Sequence, residues 1–319
     1  MTRQLASTPP TSPPGQSGPP ERLRSRRWSG RSRRDFIVFL ALALPNLILI
    51  AVFTYRPLIS NIYYSTLDWT LGSASATVVG FENYVTFFTS DDAPKVLGTT
   101  AVFTLVTVGG SMLLGLLIAL ALNSKVPGTT FARSAVFAPY VLSGVGVGLV
   151  WLFIFDPGYG VLAWLLRGIG QQSPQWINDP QLSLVMVILV YIWKNLGYCA
   201  VVYLAGLQSL PQDVMEAASL DGANGFRRFI SMSIPLLSPT TFFLLITTML
   251  SSLQAFDLIR IMTPLGAGTS TLIYEAYLQA FGAFNRAGYS AAISVILFAI
   301  LLVITVLQLR FVERKVHYS

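Results

Sequence analysis

The feature that most constrains this chain is a series of uncharged apolar runs, each long enough to cross a bilayer. About 20 apolar residues in helical form span the hydrocarbon layer. Inside that layer every backbone amide and carbonyl needs an internal partner, so the runs are read as helices. The first extends from Phe36 to Tyr55, and five more are predicted at about 96–122, 134–155, 182–208, 236–256 and 288–309. The fourth is expected to be broken at Lys194 and Gly197, and the fifth to open at the Pro235–Pro239 segment. Composition agrees, with 53% of 319 residues hydrophobic and 11% charged, which is too apolar for an ordinary soluble domain. The predicted fold class is an all-α polytopic membrane protein with six transmembrane helices.

Six crossings put both termini on one side, and the distribution of basic residues says which. Segments 1–35, 123–133, 209–233 and 310–319 hold 15 of the 21 Lys and Arg residues, while 56–95, 156–181 and 257–287 hold five. Both termini and segment 209–233 are therefore expected in the cytoplasm. Residues 1–20 are rich in Pro, Ser, Thr and Gly and cannot bury a core, and seven arginines follow between Arg22 and Arg34. Residues 1–35 read as a disordered cytoplasmic extension and 36–319 as the membrane domain. The pairs Arg26, Arg27 and Arg33, Arg34 fit a twin-arginine export signal, but the apolar run behind them is long and lacks a small-residue cleavage site. It is read as a retained span.

The net charge of +7 does not point to nucleic acid, because the basic residues flank spans instead of forming a stripe with interleaved aromatics. Cys199 is the single cysteine, which excludes an intrachain disulfide, and His317 is the single histidine, which excludes multi-His metal sites and His-based triads within the chain. The chain has no Gly-rich phosphate loop and no Gly-x-Ser-x-Gly elbow. It is expected not to be an enzyme and not to hydrolyse ATP by itself.

One polar island stands out, PQDVMEAASLDGANGFRRFISMSIP at residues 211–235. Pro211 suits the start of a helix, and Asp213 and Glu216 suit its first turns. Gly222 suits its end. Asn224 is placed to cap a second short helix through Arg227 and Arg228. The run Glu216-Ala217-Ala218, three residues, Gly222, then nine residues to Met232-x-Ile234-Pro235 resembles the EAA loop of the membrane-spanning subunits of bacterial ABC importers. Met232 and Ile234 stand where Ile and Leu are usual, and both keep the surface apolar. The segments GFENYVTFF, FAPYVLSGVGVGLVWLFIFDPGYG, IWKNLGYCAVVYLAGLQSLPQDVMEAA and SLQAFDLIRIMT resemble carbohydrate-uptake ABC permeases of the maltose-transporter type. STLIYEAYLQAF and LRFVERKVHYS are similar to the A-type permease branch for sn-glycerol 3-phosphate and glycerophosphodiesters. This resemblance implies the type I importer permease fold, with Glu216, Ala217, Ala218, Asp221 and Gly222 coupling to an ATPase. It also implies a second homologous permease, two copies of a cytoplasmic ATPase that binds ATP and Mg, and an extracytoplasmic substrate-binding protein.

A cation within a span costs about 2.5–3.5 kcal/mol at its centre, so Lys194 needs a reason. One reading puts it on the translocation path with Asn195 and Tyr198, attracting an anionic phosphate. The plainer reading pairs it with a carboxylate or with backbone carbonyls. Asp257 and Arg260 share a helix face and read as a gate, part of the site, or a simple ion pair near the outer headgroups. Gln254 and Asn285 are further polar candidates. Trp69, Phe81, Tyr84 and Phe87 suit an interfacial helix, as does an amphipathic stretch around Trp164. The expected cargo is sn-glycerol 3-phosphate or a glycerophosphodiester such as glycerophosphocholine, and the alternative with the same architecture is an oligosaccharide such as a disaccharide. A stand-alone secondary transporter is the alternative of another class. It would need more ionisable residues within spans than Lys194.

Overall fold

A computed structural model of the chain describes residues 30–123, 128–211, 213, 224–266, 268–282 and 284–312. The chain divides at Arg56 into two units. The first holds helix α1 (Gly30–Ile50) and a π-turn at Ala51–Tyr55. Its apolar side chains are exposed, Leu42 at 77% and Phe53 at 72%, as suits a segment whose solvent is hydrocarbon. A proline in a helix leaves the carbonyl four residues back without its amide, and a π-turn re-registers the ladder. That turn ends two residues before Pro57, and a second one at Phe229–Ser233 ends two residues before Pro235.

The second unit carries α2 (Arg56–Tyr64), which leads into it, and then a small antiparallel hairpin, β1 (Leu67–Asp68) with β2 (Thr77–Val78). The hairpin pairs Leu67 with Val78 and Asp68 with Thr77. Next come α3 (Glu82–Thr89), α4 (Ala93–Leu122), α5 (Thr129–Val141), α6 (Gly144–Phe155), α7 (Val161–Gly168) and α8 (Pro180–Gln208). After the 211–235 loop, with its short helix α9 (Gly225–Arg228), follow α10 (Ser238–Leu253), α11 (Asp257–Met262), α12 (Leu272–Phe281) and α13 (Ala287–Leu307). Among the described residues five helical stretches are long and apolar enough to cross a membrane, and the α5–α6 pair, bent by 98°, makes a sixth if taken as one broken span.

Two expectations about span continuity are corrected. The third run was expected to be one helix and breaks at Leu142–Ser143, while the fourth was expected to break and is continuous over 29 residues. Gly197 does not interrupt α8, because a helix tolerates a glycine that lets another backbone approach. An added Cβ there would overlap the Val136 carbonyl of α5. Contacts along α8 run in reverse order to those along α5 and α6. Gly197 meets Val136, Lys194 meets Tyr140, and Trp176 just before α8 meets Phe155.

The core consists of three apolar clusters along α4, α8, α10, α12 and α13, with Phe103, Met186, Leu244, Tyr274 and Ile293 nearly fully enclosed. Cys199 is buried and free, as its apolar setting predicts. Hydroxyls stitch neighbouring helices, Thr107 Oγ1 to Ser252 Oγ at 2.7 Å and the Leu272 amide donating to Thr100 Oγ1 at 2.9 Å. At the hairpin end, Asn83 Nδ2 donates to the carbonyls of Ser65 and Leu67, both at 2.9 Å. Asn285 adopts a left-handed backbone (φ 50°) and clamps Leu71, accepting from its amide at 3.0 Å and donating to its carbonyl at 3.3 Å. It belongs to this cap and not to a path through the bundle. Of the interfacial aromatics, Phe87 is buried in the core, Tyr84 bonds Ser65, and Trp69 sits in the hairpin donating to the Ser73 carbonyl.

Gly→Ala in a helix interior ordinarily stabilises by about 0.5–1 kcal/mol, whereas overfilling a packed contact costs about 1–3 kcal/mol. Gly109, with open space around its would-be Cβ, and Gly197 therefore predict opposite signs. In thermal unfolding of the purified protein, Gly109→Ala should hold or raise the midpoint and Gly197→Ala should lower it. Equal midpoints would remove Gly197 from the α5–α8 contact.

Candidate functional site

The site begins with the break in the third run. Leu142 is extended (ψ 146°) and Ser143 occupies the position before α6, so the last carbonyls of α5 lose their helical partners. Lys194, midway along α8, meets this need. Its Nζ donates to the Tyr140 carbonyl at 2.9 Å and lies 5.4 Å from the centre of the Tyr140 ring. A cation at a helix C-terminus also complements the dipole. Of the two readings of Lys194, the contact with a backbone carbonyl is the one observed, yet the side chain also borders open space.

A second break faces the first. α10 ends at Leu253, Gln254 to Phe256 leave the helix, and α11 resumes at Asp257. Gly144 lies against it, since an added Cβ there would come 3.0 Å from the Cβ of Asp257. Between the breaks lies a cavity of about 270 Å³, walled by Gly144, by Tyr191, Lys194 and Asn195 of α8, and by Gln254 through Leu258. Four residues singled out in the sequence, Lys194, Asn195, Gln254 and Asp257, meet here.

Tyr198 lies one chamber away. With Thr107, Ser111, Tyr140 and Thr248 it lines a nearly closed space of about 10 Å³ that shares Tyr191 and Asn195 with the larger cavity. That volume holds about one water. The Tyr198 ring stacks on Tyr140 at 4.8 Å and 17°, and Asn195 Nδ2 donates to the Tyr191 carbonyl at 2.8 Å. Arg260 lies outside both walls. Its guanidinium rests on Tyr277 at 4.9 Å and on Phe256 at 5.9 Å. The reading of Asp257 and Arg260 as an ion pair is corrected, because the one salt bridge among the described residues joins Lys95 to Asp92. The aromatic faces hold the arginine instead.

Glu216, Ala217, Ala218, Asp221 and Gly222 lie outside the described residues. Just beyond them Asn224 caps α9 as expected, its Oδ1 accepting from the Arg227 amide at 2.8 Å. Sequence reasoning missed Gly144, Tyr191, Phe256 and Tyr140. A signal was present in Tyr140-Val-Leu-Ser-Gly144, where a serine and a glycine interrupt an apolar run and mark a broken helix.

A multi-span membrane protein with a polar cavity between two broken helices has the build of a permease. Residues 111–318 match the family described as the binding-protein-dependent transport system inner membrane component, and the chain belongs to that family. It is thus a multi-pass inner-membrane ABC permease. It is 36% identical over 281 residues to the sn-glycerol-3-phosphate transport system permease protein UgpA of Agrobacterium fabrum, covering 87% of this chain and 95% of that one. The UgpA proteins of Rhizobium meliloti and Yersinia pestis are 35% and 33% identical over the same shares. Among solved structures, the fold is similar to that of a bacterial alginate ABC transporter bound to a periplasmic protein carrying an alginate pentasaccharide. There the TM-score is 0.80 at 23% identity, covering 92% of this chain and 99% of that one.

Solvent access tests the cavity directly. In a Cys199→Ala background, cysteines at 194, 254 and 257 should react with a water-soluble maleimide, while one at the buried Met186 should not. Equal protection of all four would close the cavity.

Proposed function

We propose that this chain is one of two permease subunits of an ATP-driven importer for sn-glycerol 3-phosphate or glycerophosphodiesters such as glycerophosphocholine. The observation that carries the reading is the presence of Lys194 and Asp257 in one cavity wall, with Asn195 and Gln254 between them. An ammonium has three donors, so Lys194 holds the Tyr140 carbonyl with one and offers the others to a phosphate. Charge-assisted bonds of this kind are the strong ones. A glycerophosphodiester with a cationic headgroup presents the opposite sign at its other end, which suits Asp257 backed by the rings of Phe256 and Tyr191. Asn195 and Gln254 take the glycerol hydroxyls. The relatives that match 87% of this chain carry sn-glycerol-3-phosphate transport names, which supports the same cargo class.

The 15-to-five excess of basic residues puts residues 1–35 and the 211–235 loop on the cytoplasmic side. There Glu216, Ala217, Ala218, Asp221 and Gly222 meet the ATPase pair, which binds ATP and Mg. Closure of that pair moves the loop, and the bundle pivots at its two breaks to expose the cavity first to one side and then to the other. A second permease completes the path, and a binding protein delivers cargo from outside. This subunit contributes a half-site and no catalysis of its own.

Uptake of labelled glycerol 3-phosphate, glycerophosphocholine and a disaccharide by a deletion strain complemented with variants tests the reading. Lys194→Gln should raise KM for both phosphate cargoes about ten-fold or more, the loss of a charged hydrogen bond worth about 1.5–3 kcal/mol. Asp257→Asn should raise it for glycerophosphocholine alone. Disaccharide uptake that depends on this chain while phosphate uptake does not would discard the cargo. Separately, a bulky residue at Gly222 should leave the complex assembled and hydrolysing ATP without transport, and full uptake by that variant would remove the coupling role.

A further inference from the structure

Helix α11 turns two opposite charges to one side. Asp257 and Arg260 are exposed on it, while Leu258, Ile259 and Met262 are buried. The Arg260 amide donates to the Phe256 carbonyl at 2.9 Å, which closes the turn beneath them. Residues three apart on such a turn are neighbours, and opposite charges there ordinarily pair. Here they do not, since the one salt bridge among the described residues joins Lys95 to Asp92. Asp257 borders the cavity, and the Arg260 guanidinium lies over the rings of Tyr277 at 4.9 Å and Phe256 at 5.9 Å.

The rings form a prepared platform. The Tyr274 hydroxyl donates to the Pro264 carbonyl at 2.7 Å, which anchors a side chain already fully enclosed. Tyr277 stacks on Tyr274 at 6.0 Å and 12°, and it meets Phe256 edge-on at 4.9 Å and 68°. Phe281, one turn further along α12, lies 5.4 Å from the Tyr277 ring. Rings braced in this way lose little freedom when a guanidinium settles on them. A solvent-exposed ion pair is among the weakest charge contacts, whereas a cation held by two ring faces gains from both. The platform therefore wins the arginine, and the carboxylate is left open to the cavity.

We infer that Tyr277 is a positioning residue of the cargo site: by holding Arg260 on its ring, it keeps Asp257 free to meet a cationic headgroup. The inference rests on the role proposed above for Asp257. Without the ring, Arg260 swings onto that carboxylate, cancels its charge and sets a like charge beside the headgroup. Selectivity between cargoes that differ at this end is thus set from α12, which lies behind the cavity wall and supplies none of its lining.

The purified protein tests the geometry without cargo. A water-soluble carbodiimide with an amine probe should couple to Asp257 in wild type, read at that residue by peptide mass spectrometry. Tyr277→Leu should lower the coupling about three-fold, the worth of one exposed ion pair. Tyr277→Phe, which keeps the ring, should match wild type, and Arg260→Gln added to Tyr277→Leu should restore coupling. Unchanged coupling in Tyr277→Leu overturns the inference, as does a loss that Arg260→Gln fails to restore, which marks a structural role. Uptake separates this inference from the reading beneath it. Tyr277→Leu should raise KM for glycerophosphocholine about three-fold with glycerol 3-phosphate unchanged, and Arg260→Gln should again reverse the effect. If Asp257→Asn itself leaves glycerophosphocholine uptake intact, the role of Asp257 falls and the inference with it. If Asp257→Asn impairs that uptake and Tyr277→Leu does not, the inference alone falls.

Discussion

The structure turns on a single hydrogen bond, from Lys194 Nζ to the Tyr140 carbonyl at 2.9 Å. Hydrocarbon offers nothing to a carbonyl released from a helix, and an unmatched one costs several kcal/mol. A break in a membrane helix therefore needs a donor from elsewhere, and an ammonium buried in a span needs acceptors. Here each supplies what the other lacks. The arrangement also explains why α8 stays straight through Lys194, since the cation is neutralised in part by the end of α5 and needs no distortion of its own helix.

From that bond the cavity follows. The α5–α6 bend swings Gly144 toward Asp257, and the matching interruption at Gln254–Phe256 keeps the opposite wall from filling the space. Around it two threonine hydroxyls are satisfied locally, Thr107 on the Phe103 carbonyl at 2.7 Å and Thr248 on the Leu244 carbonyl at 2.6 Å. Such i−4 bonds let polar side chains line a bundle without demanding water at every one. Polar side chains that border open space, Lys194, Asn195, Gln254 and Asp257, gather between the two breaks. Interrupted helices are also where rigid segments change angle with least loss of hydrogen bonds, so in the proposed cycle binding and movement would share one place.

The sequence was most legible where a chemical requirement is one-dimensional. Hydropathy located the apolar runs, and Asn224 was readable as a cap because capping is local. Lys194 was legible as an anomaly, and with it Asn195, Gln254 and Asp257 as polar residues in or beside apolar runs. The break was assigned to the wrong helix because a lysine and a glycine within a run look like an interruption, whereas their partners lie more than fifty residues earlier in the chain. Gly197 is a notch for Val136, and Lys194 is a cap for Tyr140. Neither relation leaves a periodic trace. Arg260 misled for the same reason, since a carboxylate three residues away is visible in sequence and the rings of Tyr277 and Phe256 are not. Tyr191 and Gly144, ordinary residues of apolar helices, became wall residues only through the fold.

The two charges of the cavity are not equivalent, and that asymmetry bears on how the proposed specificity would be built. Lys194 is committed to the Tyr140 carbonyl, so its position is fixed without a solute, and the proposed phosphate would lose little ordering entropy on meeting it. Asp257 has no hydrogen bond or ion pair among the described residues, is exposed to the cavity and stands at the first position of a short helix, where the dipole favours its negative charge. A fixed cation recognises what all cargoes of one class share. An uncommitted carboxylate would, in the proposed reading, discriminate among them by charge at the other end, tolerating a neutral glycerol and favouring a cationic headgroup. Under the proposed cargo assignment, selection within the class would reside in Asp257 and its aromatic neighbours, and Lys194 would set the class itself.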